Sequence, residues 1–147
     1  MKRISTRKAS EKDFNWTFGL KKAALKDYIV QTFGLWNEAW QLQEHRKDFS
    51  SYQFEIIEAD GASAGYLWVR RTDKSIYLVD ICVAPEYQGK GIGSQIIEKL
   101  LLEAKARQLP VELGVFKVNH SALKLYEKLG FNQISETQTH ILMRSLP

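Results

Sequence analysis

Apolar residues in the first third of the chain return at helical spacing. Phe18, Leu25, Ile29 and Phe33 follow that rhythm, and Gly34 stands where such a helix would stop. Asn37 is placed to cap a second, mostly polar helix running to about Phe49. Near residue 50 the period changes. Segments 52–59, 64–71 and 76–83 read as strands, the first two joined by Asp60-Gly61, a strong hairpin signal, and the next two by Thr72-Asp73-Lys74. Pro85 has no backbone donor and ends the third strand. An amphipathic helix comes next, with Ile92, Ile96 and Leu100 on one line and Ile97, Leu101 and Ala104 beside it. Pro110 opens another strand in which Val111, Leu113 and Val115 alternate. Asn119 and Ser121 can cap a short helix over 122–129, closed by Gly130, and a last strand is expected at about 136–143. An antiparallel meander followed by crossover helices predicts a mixed α/β sheet in one domain, 1–147.

The composition agrees with one globular domain: 147 residues, 44% hydrophobic and 26% charged. The single cysteine excludes an intrachain disulfide, and no cysteine/histidine cluster offers a zinc site, so no metal is expected. No apolar run approaches the ~20 residues that cross a bilayer. Residues 1–6 carry positive charge without an apolar segment behind them, unlike a signal peptide. A reducing, cytoplasmic location is therefore expected. The net charge of +4 invites a nucleic-acid reading. However, the basic residues are dispersed. Lys2-Arg3 and Arg7-Lys8 come closest to a cluster, while Lys21-Lys22 and Arg70-Arg71 stand apart. A mildly basic solvated surface, with neither nucleic acid nor membrane as partner, is the simpler expectation.

The most specific local feature is Gln88-Gly89-Lys90-Gly91-Ile92-Gly93, between a strand and a helix. The first N–H groups of a helix lack intrahelical partners, and the helix dipole adds positive potential there. Glycine allows backbone to approach a ligand, so an anion such as phosphate or pyrophosphate suits the position, with Lys90 adding charge. A tight turn with no ligand is the structural alternative. A Walker A loop would need glycine at Ala84 and a hydroxyl residue at Gly91. A dinucleotide fingerprint would need glycine at Ser94 or Ile96. Both readings fail.

The pattern Gln88-x-x-Gly91-x-Gly93, after Val83-Ala84-Pro85-Glu86-Tyr87, resembles the acetyl-CoA loop of the GNAT superfamily of N-acetyltransferases. The stretch Asn119-His120-Ser121-Ala122-Leu123-Lys124-Leu125-Tyr126-Glu127-Lys128-Leu129-Gly130-Phe131 is similar to that superfamily's Asn-x-x-Ala-x-x-Leu-Tyr-x-x-x-Gly-Phe segment. The resemblance implies the GNAT fold, with acetyl-CoA in a V between strands 76–83 and 110–118. It implies that backbone groups of Ile81, Cys82 and Val83 pair with the pantetheine arm. Backbone N–H groups of Gln88, Gly89, Lys90, Gly91, Ile92, Gly93 and Ser94 would hold the pyrophosphate, and the Asn119 side chain would reach the cofactor. It also implies that the Tyr126 hydroxyl faces the thioester sulfur.

The implied reaction is direct acetyl transfer to a primary amine, of a small molecule first and of a peptide or protein second. A non-catalytic acyl-CoA-binding module is the rival of another class, and a homodimer is compatible with either. A phenol stays protonated at neutral pH, so Tyr126 suits a proton donor to the leaving thiolate; its bland alternative is packing beside Leu125 and Leu129. Glutamates used as bases elsewhere in the superfamily are replaced here by Tyr77 and Gly114. Asp80 is the best remaining carboxylate, as base, as binder of a cationic substrate, or as a structural ion pair. Glu136 and His140 are weaker candidates, and Cys82 reads as a small buried residue. Trp36 and Trp40, beside Phe33 and Glu38, offer aromatic faces and a carboxylate to a cation, so Trp36 and Glu38 are candidate substrate-binding residues.

Overall fold

The computed structural model describes residues 3–50 and 53–147. Tyr52, the expected start of a strand, and Lys2 of the N-terminal basic pair lie outside the described residues. The chain runs β1 (Ile4–Lys8), α1 (Phe14–Phe33), α2 (Glu38–Phe49), β2 (Phe54–Ala59), β3 (Ala62–Arg71), β4 (Ile76–Val83), α3 (Ile92–Arg107), β5 (Val111–Phe116), α4 (His120–Lys128), β6 (Asn132–Glu136) and β7 (His140–Ser145). The strands form a seven-stranded mixed sheet in the order β1-β2-β3-β4-β5-β7-β6. Pairing is antiparallel for β1–β2, β2–β3, β5–β7 and β6–β7, and parallel for β4–β5, whose crossover is α3.

The chain divides into two compact units, Met1–Trp68 with Asp80–Ile92, and Val69–Val79 with Gly93–Pro147. In the first unit, the expected punctuation sets the elements. Gly34 closes α1 at φ 89°, a left-handed value that glycine adopts without strain, and its N–H bonds to the Val30 carbonyl at 2.8 Å. The Asn37 side chain caps α2 by accepting from the Trp40 N–H at 3.0 Å. Asp60 and Gly61 take φ 51° and 84°, the paired left-handed conformation of a tight hairpin turn. Phe14, Leu20, Phe49, Phe54, Ile56, Tyr66, Cys82 and Ala84 form the core of this unit.

In the second unit, α3 buries Ile96, Ile97, Leu100 and Ala104, and the strands bury Ile76, Leu78, Val111, Leu113, Val115 and Met143. Two expectations are corrected at the chain ends. Residues 4–8 form β1, which the sequence pattern does not announce; they hold a single apolar residue and are a strand through their register with β2. The single final strand expected over 136–143 is a hairpin, β6 and β7. Thr137 donates its N–H to the His140 carbonyl at 2.9 Å, and its hydroxyl accepts the His140 N–H at 3.0 Å, turning the chain. Likewise β5 stops at Phe116, where Asn119 N–H bonds back to the Phe116 carbonyl at 2.9 Å and starts α4.

Candidate functional site

The glycine loop joins the end of β4 to the start of α3 within the first unit. A short 3₁₀ turn, Pro85–Tyr87, follows the strand, and Gln88 closes it by donating its N–H to the Pro85 carbonyl at 3.2 Å. The Gln88 side chain ties the loop to the strand end through Nε2 to the Val83 carbonyl at 2.9 Å. Gly89 and Gly91 have φ 75° and 78°, so a side chain at either would be strained whatever the space. That space is open, because a Cβ at Gly89, Gly91 or Gly93 would meet nothing within 4 Å. Unfilled room beside backbone donors at the start of a helix fits a phosphate group. Lys90 is exposed in the loop, with its ammonium 5.7 Å from the Tyr87 ring centre.

On β4, side chains alternate, and Ile76, Leu78, Asp80 and Cys82 share one face. Asp80, half-buried, is the polar member of that row, and a polar group on an otherwise apolar face is the informative exception. Its Oδ2 accepts the Tyr66 hydroxyl at 2.5 Å, and its Oδ1 lies 3.8 Å from the Cys82 thiol. Burial pushes the Asp80 carboxyl above its usual range. The Tyr66 hydroxyl, the Lys21 charge, the Ile81 N–H and the Cys82 thiol offset part of that rise. Burial, followed by the charge of Asp80, pushes both the Tyr66 phenol and the Cys82 thiol well up. Both remain protonated donors, and Cys82 is the inert buried residue expected.

Trp36 and Glu38 do meet, at the mouth of α2. Trp36 Nε1 donates to Glu38 Oε1 at 2.9 Å, and Lys22 holds Oε2 at 2.6 Å. The Lys22 hydrogen bond, then that of Trp36, lowers the Glu38 pKa. Both carboxylate oxygens are thus engaged within the protein, and a cationic ligand would have to displace Lys22. Trp36 is half-buried with its ring 6.4 Å from that of Phe18, and Trp40 is exposed.

The remaining candidates belong to the second unit. Asn119 caps α4, its Oδ1 accepting the Ala122 N–H at 3.2 Å, which leaves the amide nitrogen as its donor. Tyr126 is half-buried, with its ring edge-on to Phe131 at 5.7 Å. Glu136 is exposed and paired with Lys117 at 2.9 Å. His140 packs 4.3 Å from the Phe116 ring, shares a 2.7 Å hydrogen bond with the Thr139 hydroxyl, and has its pKa lowered by burial. Among the described residues no three His, Cys, Asp or Glu side chains gather as a metal site, and no helix is long and apolar enough to cross a membrane.

The profile of the Acetyltransferase (GNAT) family matches residues 20–131. The chain belongs to the GNAT family of acetyltransferases. Among its relatives, the thialysine N-epsilon-acetyltransferase of Mus musculus is 33% identical over 101 residues, 61% of this chain and 59% of that protein. The ribosomal protein bS18-alanine N-acetyltransferase of Salmonella typhimurium is 30% identical over 108 residues, 65% of this chain and 73% of that protein. The chain spans about half the length of the mammalian relatives it matches. The fold is that of the PaiA N-acetyltransferase from Thermoplasma acidophilum in complex with coenzyme A, with TM-score 0.75, 19% identity and 99% of each chain covered.

Tyr77 and Gly114, the two positions where the resemblance would place a glutamate, are neighbours. A Cβ at Gly114 would lie 3.4 Å from the Tyr77 hydroxyl and 3.3 Å from Leu142 Cδ2. The Tyr77 phenol thus reaches into the space that a side chain at Gly114 would enter, and the two departures form one packing arrangement. Two residues in the first unit escape a reading of the sequence. Tyr66 reads as an ordinary strand aromatic, and its carboxylate partner is 14 positions away. His45 sits in a helix that reads as polar, yet it is 0% exposed. Its signal is the i, i+4 row Gln41, His45, Phe49, all buried.

Proposed function

We propose that this GNAT protein transfers acetyl from acetyl-CoA to a primary amine, of a small molecule in the first instance. The observation that carries the reading is the open loop with left-handed Gly89 and Gly91 at the start of α3, in a chain of this family. Bound there, acetyl-CoA supplies an activated thioester. The reaction forms a C–N bond and breaks a C–S bond; the amine loses a proton and the leaving sulfur gains one. The N–H groups from Gly89 to Ser94 hold the pyrophosphate, with Lys90 beside them. The Gln88 N–H, already bonded to Pro85, contributes through the shape of the turn instead. Backbone groups of Ile81, Cys82 and Val83 pair with the pantetheine arm. The described parallel register of β4 with β5 ends at Leu78, which supports this use of the following segment. The Asn119 amide nitrogen and the Tyr126 hydroxyl serve cofactor and leaving sulfur respectively.

Asp80 holds the acceptor ammonium and takes or relays its proton. A carboxyl raised by burial is nearer the pH at which a base is most useful. Trp36 offers the acceptor an aromatic face. A peptide or protein amine is the second reading, favoured by the Salmonella relative. Release of free CoA is measured across polyamines, amino acids, aminoglycosides and lysine peptides. Turnover with one amine class supports the reading, and acetyl-CoA binding with no turnover on any amine replaces it with a binding module. Asp80→Asn lowers turnover most at low pH if the carboxylate is the base; it mainly raises the acceptor KM if it only binds the cation.

A further inference from the structure

The Tyr66 hydroxyl has no part in the scheme above, and its geometry gives it one. The ring is 0% exposed and stacks on Phe54 at 5.2 Å with 22° between planes, which fixes the phenol in place. From that anchored ring the hydroxyl makes a 2.5 Å bond to Asp80 Oδ2, the short end of the range for a hydroxyl on a carboxylate. A phenylalanine would fill nearly the same volume in the aromatic core without touching the carboxylate.

The groups that face Asp80 come from three elements. Tyr66 approaches from β3, Cys82 from β4 itself, and the Lys21 charge from α1. Lys21 is shared with Asp48 of α2, 3.7 Å from its ammonium. The Cys82 thiol is a weak donor at 3.8 Å. His45, whose ring lies 6.5 Å from that of Tyr66, is held neutral by burial. The phenol is therefore the strongest direct hydrogen bond that Asp80 receives from these groups. Burial by itself favours the neutral form of the carboxyl, which can neither attract an ammonium nor accept its proton.

We propose that Tyr66 is a positioning residue for Asp80: its core-anchored hydroxyl holds one carboxylate oxygen, keeping the group charged and in a single orientation for the acceptor amine. The inference rests on the reading of Asp80 given above. It requires that loss of the hydroxyl make the carboxylate easier to protonate, whatever the identity of the acceptor.

The test is a carboxyl-carbon NMR titration of the full chain labelled with carboxyl-13C aspartate, in wild type and Tyr66→Phe, with Asp80→Asn identifying the Asp80 signal. The Asp80 midpoint is expected to rise by about one pH unit in Tyr66→Phe, the size of one hydrogen bond to a charged group. The acidic limb of kcat/KM moves alkaline with it. If Tyr66→Phe does not fold, 3-fluorotyrosine incorporated into the wild-type chain makes the phenol a stronger donor, and the midpoint falls instead. An Asp80 midpoint that stays in place in the folded variant overturns the positioning role and leaves the acetyltransferase reading untouched. Asp80→Asn kinetics that match wild type in kcat and acceptor KM at every pH overturn the use of Asp80 itself, and the role of Tyr66 with it.

Discussion

The two units of this chain bury different things. Asp13, Thr17, Gln41 and His45 are the buried polar or charged side chains among the described residues, and all belong to the first unit, as does the Tyr66–Asp80 pair. The second unit buries aliphatic side chains, with Phe131 and Met143, and keeps ion pairs such as Arg71–Glu103, Arg144–Glu112 and Lys117–Glu136 outside its core. Exposed pairs of this kind contribute little to stability. Burying a polar group is costly unless its hydrogen bonds are met. The first unit therefore carries groups that a purely structural core would omit, and it also carries the glycine loop. In the reading proposed above, the first unit supplies the chemistry and the second the support, to which α4 with Asn119 and Tyr126 is the exception.

Four substitutions press on that contrast. Gly91→Val has the largest effect: a β-branched residue cannot hold φ 78°, and acetyl-CoA binding, read as a thermal shift on titration, is expected to vanish while the unliganded chain stays folded. Retained binding would dissociate the loop from the cofactor. Tyr126→Phe keeps the ring and its edge contact with Phe131 while removing the hydroxyl. Turnover is expected to fall about 10²-fold at unchanged acetyl-CoA affinity. An unchanged chemical step would make α4 support as well.

Leu100→Ala, in the apolar second unit, should cost about 2–5 kcal/mol in denaturant unfolding, by the same amount at pH 5 and pH 8. His45 behaves differently. Thr17 donates its hydroxyl to the Phe14 carbonyl at 2.9 Å and so accepts from His45 Nε2 at 2.8 Å, leaving Nδ1 buried without a partner. Burial lowers the ring's pKa from 6.5 to about 4. The unfolded chain binds the extra proton between those values, so stability is full above about pH 6.5 and falls as the pH drops toward 4. The loss is on the order of 3 kcal/mol, since each pH unit between the two values is worth about 1.4 kcal/mol. His45→Phe should remove this acid dependence from urea unfolding measured between pH 4 and pH 7. A slope shared by variant and wild type would show that other groups cause it.

The sequence is most legible where backbone conformation demands a particular residue. Gly34, Asn37, Asp60-Gly61 and Gly130 end or turn elements where expected, because few residues satisfy a left-handed φ or an orphan N–H. It is least legible at the sheet margins. β1 holds one apolar residue in five, and β6 is exposed along its whole length, so neither shows the alternation that marks a strand. Those strands exist through their partners' registers. The glycine loop and α4 stand out through their motifs. The Tyr66–Asp80 bond does not, since which aromatic meets which carboxylate depends on how two strands align. His45 is hidden by its chemistry, because a histidine in a polar helix reads as solvated until the Gln41–His45–Phe49 row is seen to face inward.

In the proposed function the loop at the start of α3 is the acetyl-CoA site. The most direct measurement is the thermal midpoint of the wild-type chain over an acetyl-CoA titration, with free adenine nucleotide as the control. A ligand that binds only the folded state at a hundred times its Kd adds about 2.7 kcal/mol, which for a chain of this size raises the midpoint by several degrees. With acetyl-CoA the midpoint is expected to climb with the logarithm of ligand concentration above Kd. A midpoint that ignores saturating acetyl-CoA would contradict the assignment.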